Sequence, residues 1–182
     1  MAQILCIREN WAHTAAAIKI PGEFHTMHFG PTANYPFGEK GRALAGTWKQ
    51  LDPDNIMAGM LILDGDVAID PTDLANMLAA IHHHDDQVVV APAIIWPIST
   101  KRGQWTWAHW SDQPSQVLET ENIRFFSFNF TYIPRKAIEQ AIQDGLASWR
   151  FPGVDKRLSD SAHKAGIPVF VAENVRPKHL HF

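Results

Sequence analysis

The run Met60-Leu61-Ile62-Leu63-Asp64-Gly65-Asp66 constrains this chain more than any other stretch. Apolar residues end abruptly at two carboxylates separated by one glycine. A short, continuous apolar run bounded by a turn pair reads as a strand buried on both faces. A buried strand delivers its side chains alternately to two faces, so Asp64 and Asp66 should point the same way. Two like charges that close repel unless something neutralises them. Magnesium or manganese suits such carboxylates, especially beside a diphosphate. Gly65 lets a ligand approach the backbone closely. Asp-Gly is also an ordinary turn pair, and taken alone so short a motif reads rather as a strand ending in a polar turn.

The rest of the chain decides between these readings. Its 182 residues, 46% of them hydrophobic, suit a single domain, 1–182, with a sizeable core. A formal charge of −3 provides no basic field for nucleic acid or anionic membrane. The single cysteine, Cys6, lies in an apolar run and has no internal partner, so it reads as a buried reduced thiol in a reducing compartment. No apolar run approaches the ~18 residues of a membrane span. The first residues lack a signal peptide's basic start and long apolar core. The expectation is a soluble, cytoplasmic protein. Seven tryptophans are many for this length, and aromatic faces line sugar- and base-binding clefts as well as cores.

Periodicity then gives an element order. Ala2–Ile7 reads as a first buried strand. Ala15-Ala16-Ala17-Ile18 could begin a helix, and Glu23–Phe29 could be a strand. Leu44, Trp48 and Leu51 recur at helical spacing over Arg42–Leu51, after Gly38 and Gly41, and Pro53 ends that helix. Ala58–Leu63 is the strand leading to the aspartates. Asp70 can cap the next helix, Pro71 fits its first turn, and Leu74, Met77, Leu78 and Ile81 form its buried stripe. Val88–Ile95 reads as another strand. Pro97–Gly103 is a loop, and alternation over Gln104–Trp110 would put Trp105, Trp107 and His109 on one side. Ile123–Ile133 reads as one long aromatic strand. Pro134 opens a helix carrying Ile138, Ala141 and Ile142 that Gly145 ends. A last helix carries Leu158, Ala162 and Ala165 and stops at Gly166, and Pro168–Ala172 is a further strand. Strands and helices alternate, which implies an α/β fold: a mixed, mostly parallel sheet with helices on both faces. Ligands bind such sheets beyond the carboxyl ends of the strands, where Asp64 and Asp66 lie.

Two tempting features carry little. His82-His83-His84 ends a helix, and consecutive helical residues fan out by ~100° each, so the three cannot share a face around a metal. Asn129-Phe130-Thr131 matches a glycosylation sequon by chance in a chain without a secretion signal.

Four motifs, in order, resemble the GT-A (Rossmann-like) nucleotide-sugar glycosyltransferases, most closely the family-two-like inverting group. Glu39-Lys40-Gly41-Arg42-Ala43-Leu44-Ala45 is similar to the glycine-containing helix start before the metal motif. Leu63-Asp64-Gly65-Asp66, followed by Asp70-Pro71-Thr72-Asp73-Leu74, is similar to the DxD motif and the proline-started helix behind it. Phe151-Pro152-Gly153-Val154-Asp155 resembles the acidic motif at the head of a helix. Val175-Arg176-Pro177-Lys178-His179 resembles the late strand ending in a metal-ligating histidine. The resemblance covers Glu39 to His181.

It implies a metal-dependent, inverting hexosyltransferase-type enzyme built as a minimal catalytic domain. Residues 1–66 would form the nucleotide-binding half and 67–182 the acceptor-binding half. Asp66 would ligate manganese or magnesium, with Asp64 on the metal or the ribose, and His179 would complete the site. His181 lies two residues on, would share that face in a strand, and is an alternative ligand. Asp155 would be the general base; a helix cap is its other reading. Lys40 and Arg42 would sit near the nucleotide or diphosphate, unless they form a solvated helix start. Trp105, Trp107 and Trp110 would touch the acceptor or belong to the core. The donor would be a nucleotide-sugar, a UDP-sugar being favoured. The acceptor would be a protein, a glycan or a modified nucleic-acid base. The early end of the chain after the histidine fits a core that self-associates or relies on a partner subunit.

The chemistry suits these residue types. A divalent ion stabilises the charge growing on a nucleoside diphosphate leaving group, and a placed carboxylate takes the proton of the attacking hydroxyl. Three rivals compete. A sugar-nucleotide nucleotidyltransferase would show a glycine-rich basic loop after the first strand, where this chain has Cys6-Ile7-Arg8-Glu9-Asn10. A non-catalytic nucleotide- or sugar-binding module would bind without turnover. A metal-dependent hydrolase would release sugar without an acceptor.

Overall fold

The computed structural model describes residues 3–11, 21–29, 37–92, 110–111, 123–148 and 153–179, with residues 10–11, 28–29, 37–38, 110–111, 124–125 and 179 described in backbone only. Its elements are β1 (Gln3–Trp11), β2 (His25–Phe29), α1 (Phe37–Leu51), β3 (Met57–Leu63), β4 (Val67–Ala68), α2 (Pro71–His83), β5 (Val88–Val90), β6 (Trp110–Ser111), β7 (Ile123–Phe125), β8 (Phe130–Pro134), α3 (Arg135–Gln143), α4 (Val154–Lys164), β9 (Val169–Val171) and β10 (Lys178–His179). The main sheet has six strands in the order β2-β1-β3-β8-β5-β9. Its neighbours pair in parallel except around β8, which runs antiparallel to both β3 and β5. The expected mixed, mostly parallel α/β sheet is therefore present.

Alternation along the central strands builds two cores. Met60 and Ile62 of β3 face a cluster with Leu44 and Trp48 of α1, Ile138 of α3, and Val154 and Leu158 of α4. Leu61 and Leu63 face the opposite cluster, with Met77 and Ile81 of α2 and Tyr132 of β8. Three helices cover one face and α2 the other. Gly59 lies close against β8: an added Cβ would lie 2.4 Å from the Ile133 carbonyl oxygen.

The start of α2 follows its sequence closely. Asp70 Oδ1 accepts the Asp73 N–H at 2.8 Å, Asp73 Oδ2 accepts the Asp70 N–H at 3.3 Å, and Pro71 opens the helix. Leu78 departs from the expected stripe and is 40% exposed. It follows buried Met77 by one residue, and a ~100° step takes it off the core face. His82 and His83 are exposed, and the His84 ring stacks on Phe170 at 3.7 Å. Gly145 and Gly166 take φ of +89° and +68° just beyond α3 and α4, as expected of helix ends.

Other boundaries differ. β1 runs four residues past Ile7, because parallel pairing with β2 continues through Trp11. α1 begins at Phe37 and includes both Gly38 and Gly41. Gly41 is retained inside a helix because a Cβ there would lie 2.3 Å from the Leu146 carbonyl oxygen. The aromatic run Ile123–Ile133 is two strands. β7 pairs with β6 and β8 joins the main sheet, separated by Asn129 at φ +28°. Asn129 is buried, at variance with a glycosylated side chain. β5 stops at Val90, while Ala15–Ile18, residues 93–95, the loop from Pro97 to Gly103, Trp105, Trp107 and His109 fall outside the described residues. Cys6 is half-buried, and burial pushes its thiol up to about 11. Among the described residues, no helix is long and apolar enough to cross a membrane.

Candidate active site

Strand register assembles the site at the carboxyl ends of β1 and β3. These strands pair in parallel with Ile7 opposite Ile62 and Arg8 opposite Leu63. Glu9 and Asp64 are the residues that follow this last pair. On β1, Leu5 and Ile7 face the three-helix side, and alternation carries Glu9 to the same side. On α1, Lys40 lies one turn before Leu44 and two before Trp48, so it continues that helix's buried stripe toward the strand ends. The result is an ammonium between two carboxylates. Lys40 Nζ lies 2.8 Å from Glu9 Oε1 and 3.4 Å from Asp64 Oδ1. It also stands 4.5 Å from the centre of the Phe128 ring, a cation–π contact.

Glu9 was not singled out by sequence reasoning, yet its side chain is fully buried. Burial pushes its carboxyl well above the usual range; Lys40 opposes this and the neighbouring Asp64 charge adds to it. The signal available in sequence was the alternation Leu5, Ile7, Glu9, which sets a carboxylate on a core-facing position.

Asp64 and Asp66 do not continue the strand. β3 ends at Leu63, and the Val67 N–H bonds the Asp64 carbonyl at 3.2 Å, closing a tight turn over Asp64-Gly65-Asp66. Turn geometry, not strand alternation, therefore orients the two carboxylates. Both are half-buried. The Asp64 N–H bonds the Asn129 carbonyl at 2.8 Å, so the loop before β8 holds the turn from the side. Ser159 of α4 fixes that loop in turn, its hydroxyl accepting the Phe126 N–H at 3.0 Å.

Asp155 sits in the first turn of α4, behind the N-cap Gly153, and accepts the Lys156 N–H at 2.9 Å. Burial pushes its carboxyl upward, the main-chain bond from Lys156 and the Lys40 charge pull it down, and the Asp64 charge raises it. Asp155 thus shares an electrostatic environment with Lys40 and Asp64. Arg42 does not join them. It is exposed, about 200° around α1 from Lys40.

The tail reaches the same place by main-chain pairing. β10 runs antiparallel to β4, with His179 opposite Val67 and Lys178 opposite Ala68. Val67 directly follows Asp66, so the strand bearing His179 lies against the acidic turn. His181 lies outside the described residues, as do Trp105 and Trp107, and Trp110 begins β6.

No group of three or more His, Cys, Asp or Glu side chains among the described residues is arranged to hold a metal ion. Asp64 and Asp66 are carboxylate oxygen donors of the type that manganese or magnesium takes.

Neither a protein-family model nor a curated protein sequence matches the chain. Solved structures do. The chain is similar to A197 from STIV, at 14% identity and a TM-score of 0.59, covering 99% of this chain and 86% of that one. It is similar to a glycosyltransferase involved in the glycosylation of the major capsid of PBCV-1, at 12% identity and a TM-score of 0.51, covering 94% and 82%. At these identities the likeness establishes fold. Together with the sheet order and its one reversed strand, it makes this a GT-A-like α/β fold.

Proposed function

We propose that this chain is a metal-dependent glycosyltransferase that moves a sugar from a nucleotide-sugar donor to an acceptor hydroxyl with inversion. The observation that carries the reading is the β4–β10 pairing, which brings the strand bearing His179 beside Asp66. Asp66 and His179 would hold the cation, with Asp64 sharing it or meeting the ribose. When bound, a divalent ion would neutralise charge on the departing nucleoside diphosphate. The chain's own residues account for the rest. Lys40 can turn from Asp64 toward a phosphate oxygen, since both offer an ammonium the same partner. Asp155, with its pKa raised by burial, is suited to take the proton of the attacking hydroxyl. A base opposite the leaving group gives inversion. A UDP-sugar with manganese is the donor pairing we favour.

Release of nucleoside diphosphate, followed for a panel of nucleotide-sugars with manganese, tests this. The expected result is turnover that chelation abolishes and that Asp66→Ala lowers by about 100-fold or more. Tight nucleotide binding with no release or transfer for any donor would overturn the reading in favour of a binding module. Sugar release indifferent to every acceptor would point to a hydrolase.

A further inference from the structure

We infer that Asp73 is a positioning residue that sets the His179-bearing strand against the Asp64-Gly65-Asp66 turn. This rests on the proposed function for its consequence, but not for its geometry. Asp73 is a buried carboxylate with two separate attachments. Oδ2 accepts the Asp70 N–H within the capping box. Oδ1 accepts the Arg176 N–H at 2.7 Å, across 103 residues of chain. A capping box needs only the first of these bonds. The second ties the start of α2 to the peptide three residues before His179.

A second tie runs alongside. Asn76, three residues on and therefore on the same helix face, donates from Nδ2 to the Asn174 carbonyl at 3.0 Å. Between the two ties, Val175 is fully buried in the core on the α2 side. The segment 174–176 is thus gripped at two main-chain atoms and one side chain. Beyond it, among the described residues, two paired residues hold the register on β4. A two-residue ladder is weak support by itself. A slip by one residue would also turn His179 to the other face of the strand. Asp73 therefore acts on the site through the tail and does not touch substrate or metal.

Asp70→Ala is the matched control, because it removes the cap and leaves the bond to Arg176. Two measurements on the full chain separate positioning from helix stability: amide hydrogen exchange over 174–179, and manganese affinity by water-proton relaxation. Asp73→Ala is expected to speed exchange in that segment about 10-fold and to weaken manganese binding about 10-fold, as loss of a supporting partner does at metal sites. Asp70→Ala is expected to lower the melting temperature comparably while leaving both readouts near wild type. If Asp73→Ala does not fold, Asn76→Ala, at an exposed attachment, carries the test with a smaller change in the same direction. Exchange in 174–179 that matches the Asp70→Ala control overturns the inference. A wild-type chain that binds no manganese while Asp73→Ala still frees the tail overturns the metal reading and leaves this one standing.

Discussion

Lys40 Nζ lies 2.8 Å from Glu9 Oε1, and the Glu9 side chain has no exposure to solvent. A buried carboxyl whose pKa is raised binds its proton more tightly in the folded than in the unfolded chain. Its contribution to stability is then fully present below the unfolded pKa and is lost as pH rises through the folded one. Glu9→Gln mimics the protonated form and removes that loss. Urea unfolding at a series of pH values from about 5 to 8 should show the stability of the variant gaining on wild type as pH rises. A constant difference across the series would mean that Glu9 keeps its charge throughout.

The raised pKa of Asp155 predicts the acid side of the rate profile. On the proposed reading Asp155 is the general base and works only when deprotonated, so kcat/KM should climb with pH through a value above that of an ordinary aspartate. Asp155→Asn keeps an oxygen for the Lys156 N–H and removes the base. It should lower transfer by about 10²–10⁴-fold without unfolding the protein. Retained transfer would return Asp155 to a purely structural part in the first turn of α4.

Two glycines of α1 should respond in opposite directions. Gly46 is exposed with open space around its Cβ position, so Gly46→Ala should stabilise by about 0.5–1 kcal/mol. Gly41→Ala would place a methyl 2.3 Å from the Leu146 carbonyl oxygen, a backbone atom. It should cost about 1–3 kcal/mol despite alanine's better helix propensity. Because Lys40 is the adjacent residue, Gly41→Ala should also weaken donor binding. Thermal unfolding and donor titration measure both effects.

Asn129 holds a φ of +28° while its carbonyl accepts the Asp64 N–H. Asn129→Gly should be tolerated, since glycine adopts that conformation freely. A β-branched residue there is strained, and Asn129→Val should cost about 1–3 kcal/mol. If both variants unfold at the same denaturant concentration as wild type, the conformation is not under strain.

Local chemistry made part of this molecule legible in advance. The apolar run before Asp64 and the Asp70-Pro71 start of α2 each declare themselves within a few residues, and both stand as expected. Glu9 was missed because its meaning depends on tertiary contact: Lys40, from α1, ties it to Asp64. The break in Ile123–Ile133 escaped notice for a related reason. Nothing in that aromatic run marks a stop except Asn129, and the Ser159 hydroxyl that holds Phe126 comes from a helix 33 positions away. The turn geometry of Asp64-Gly65-Asp66 was hidden by an apolar strand that could equally have run on.

The pairing of β10 with β4 joins positions 110 apart in the chain, as the register of Lys178 with Ala68 shows. Closing so wide a loop is entropically unfavourable until the intervening chain has already collapsed, so this ladder belongs among the last contacts to form. If the proposed activity holds, it should accordingly lag behind the gain of secondary structure during refolding, and a partly assembled molecule would look native to circular dichroism while remaining inert.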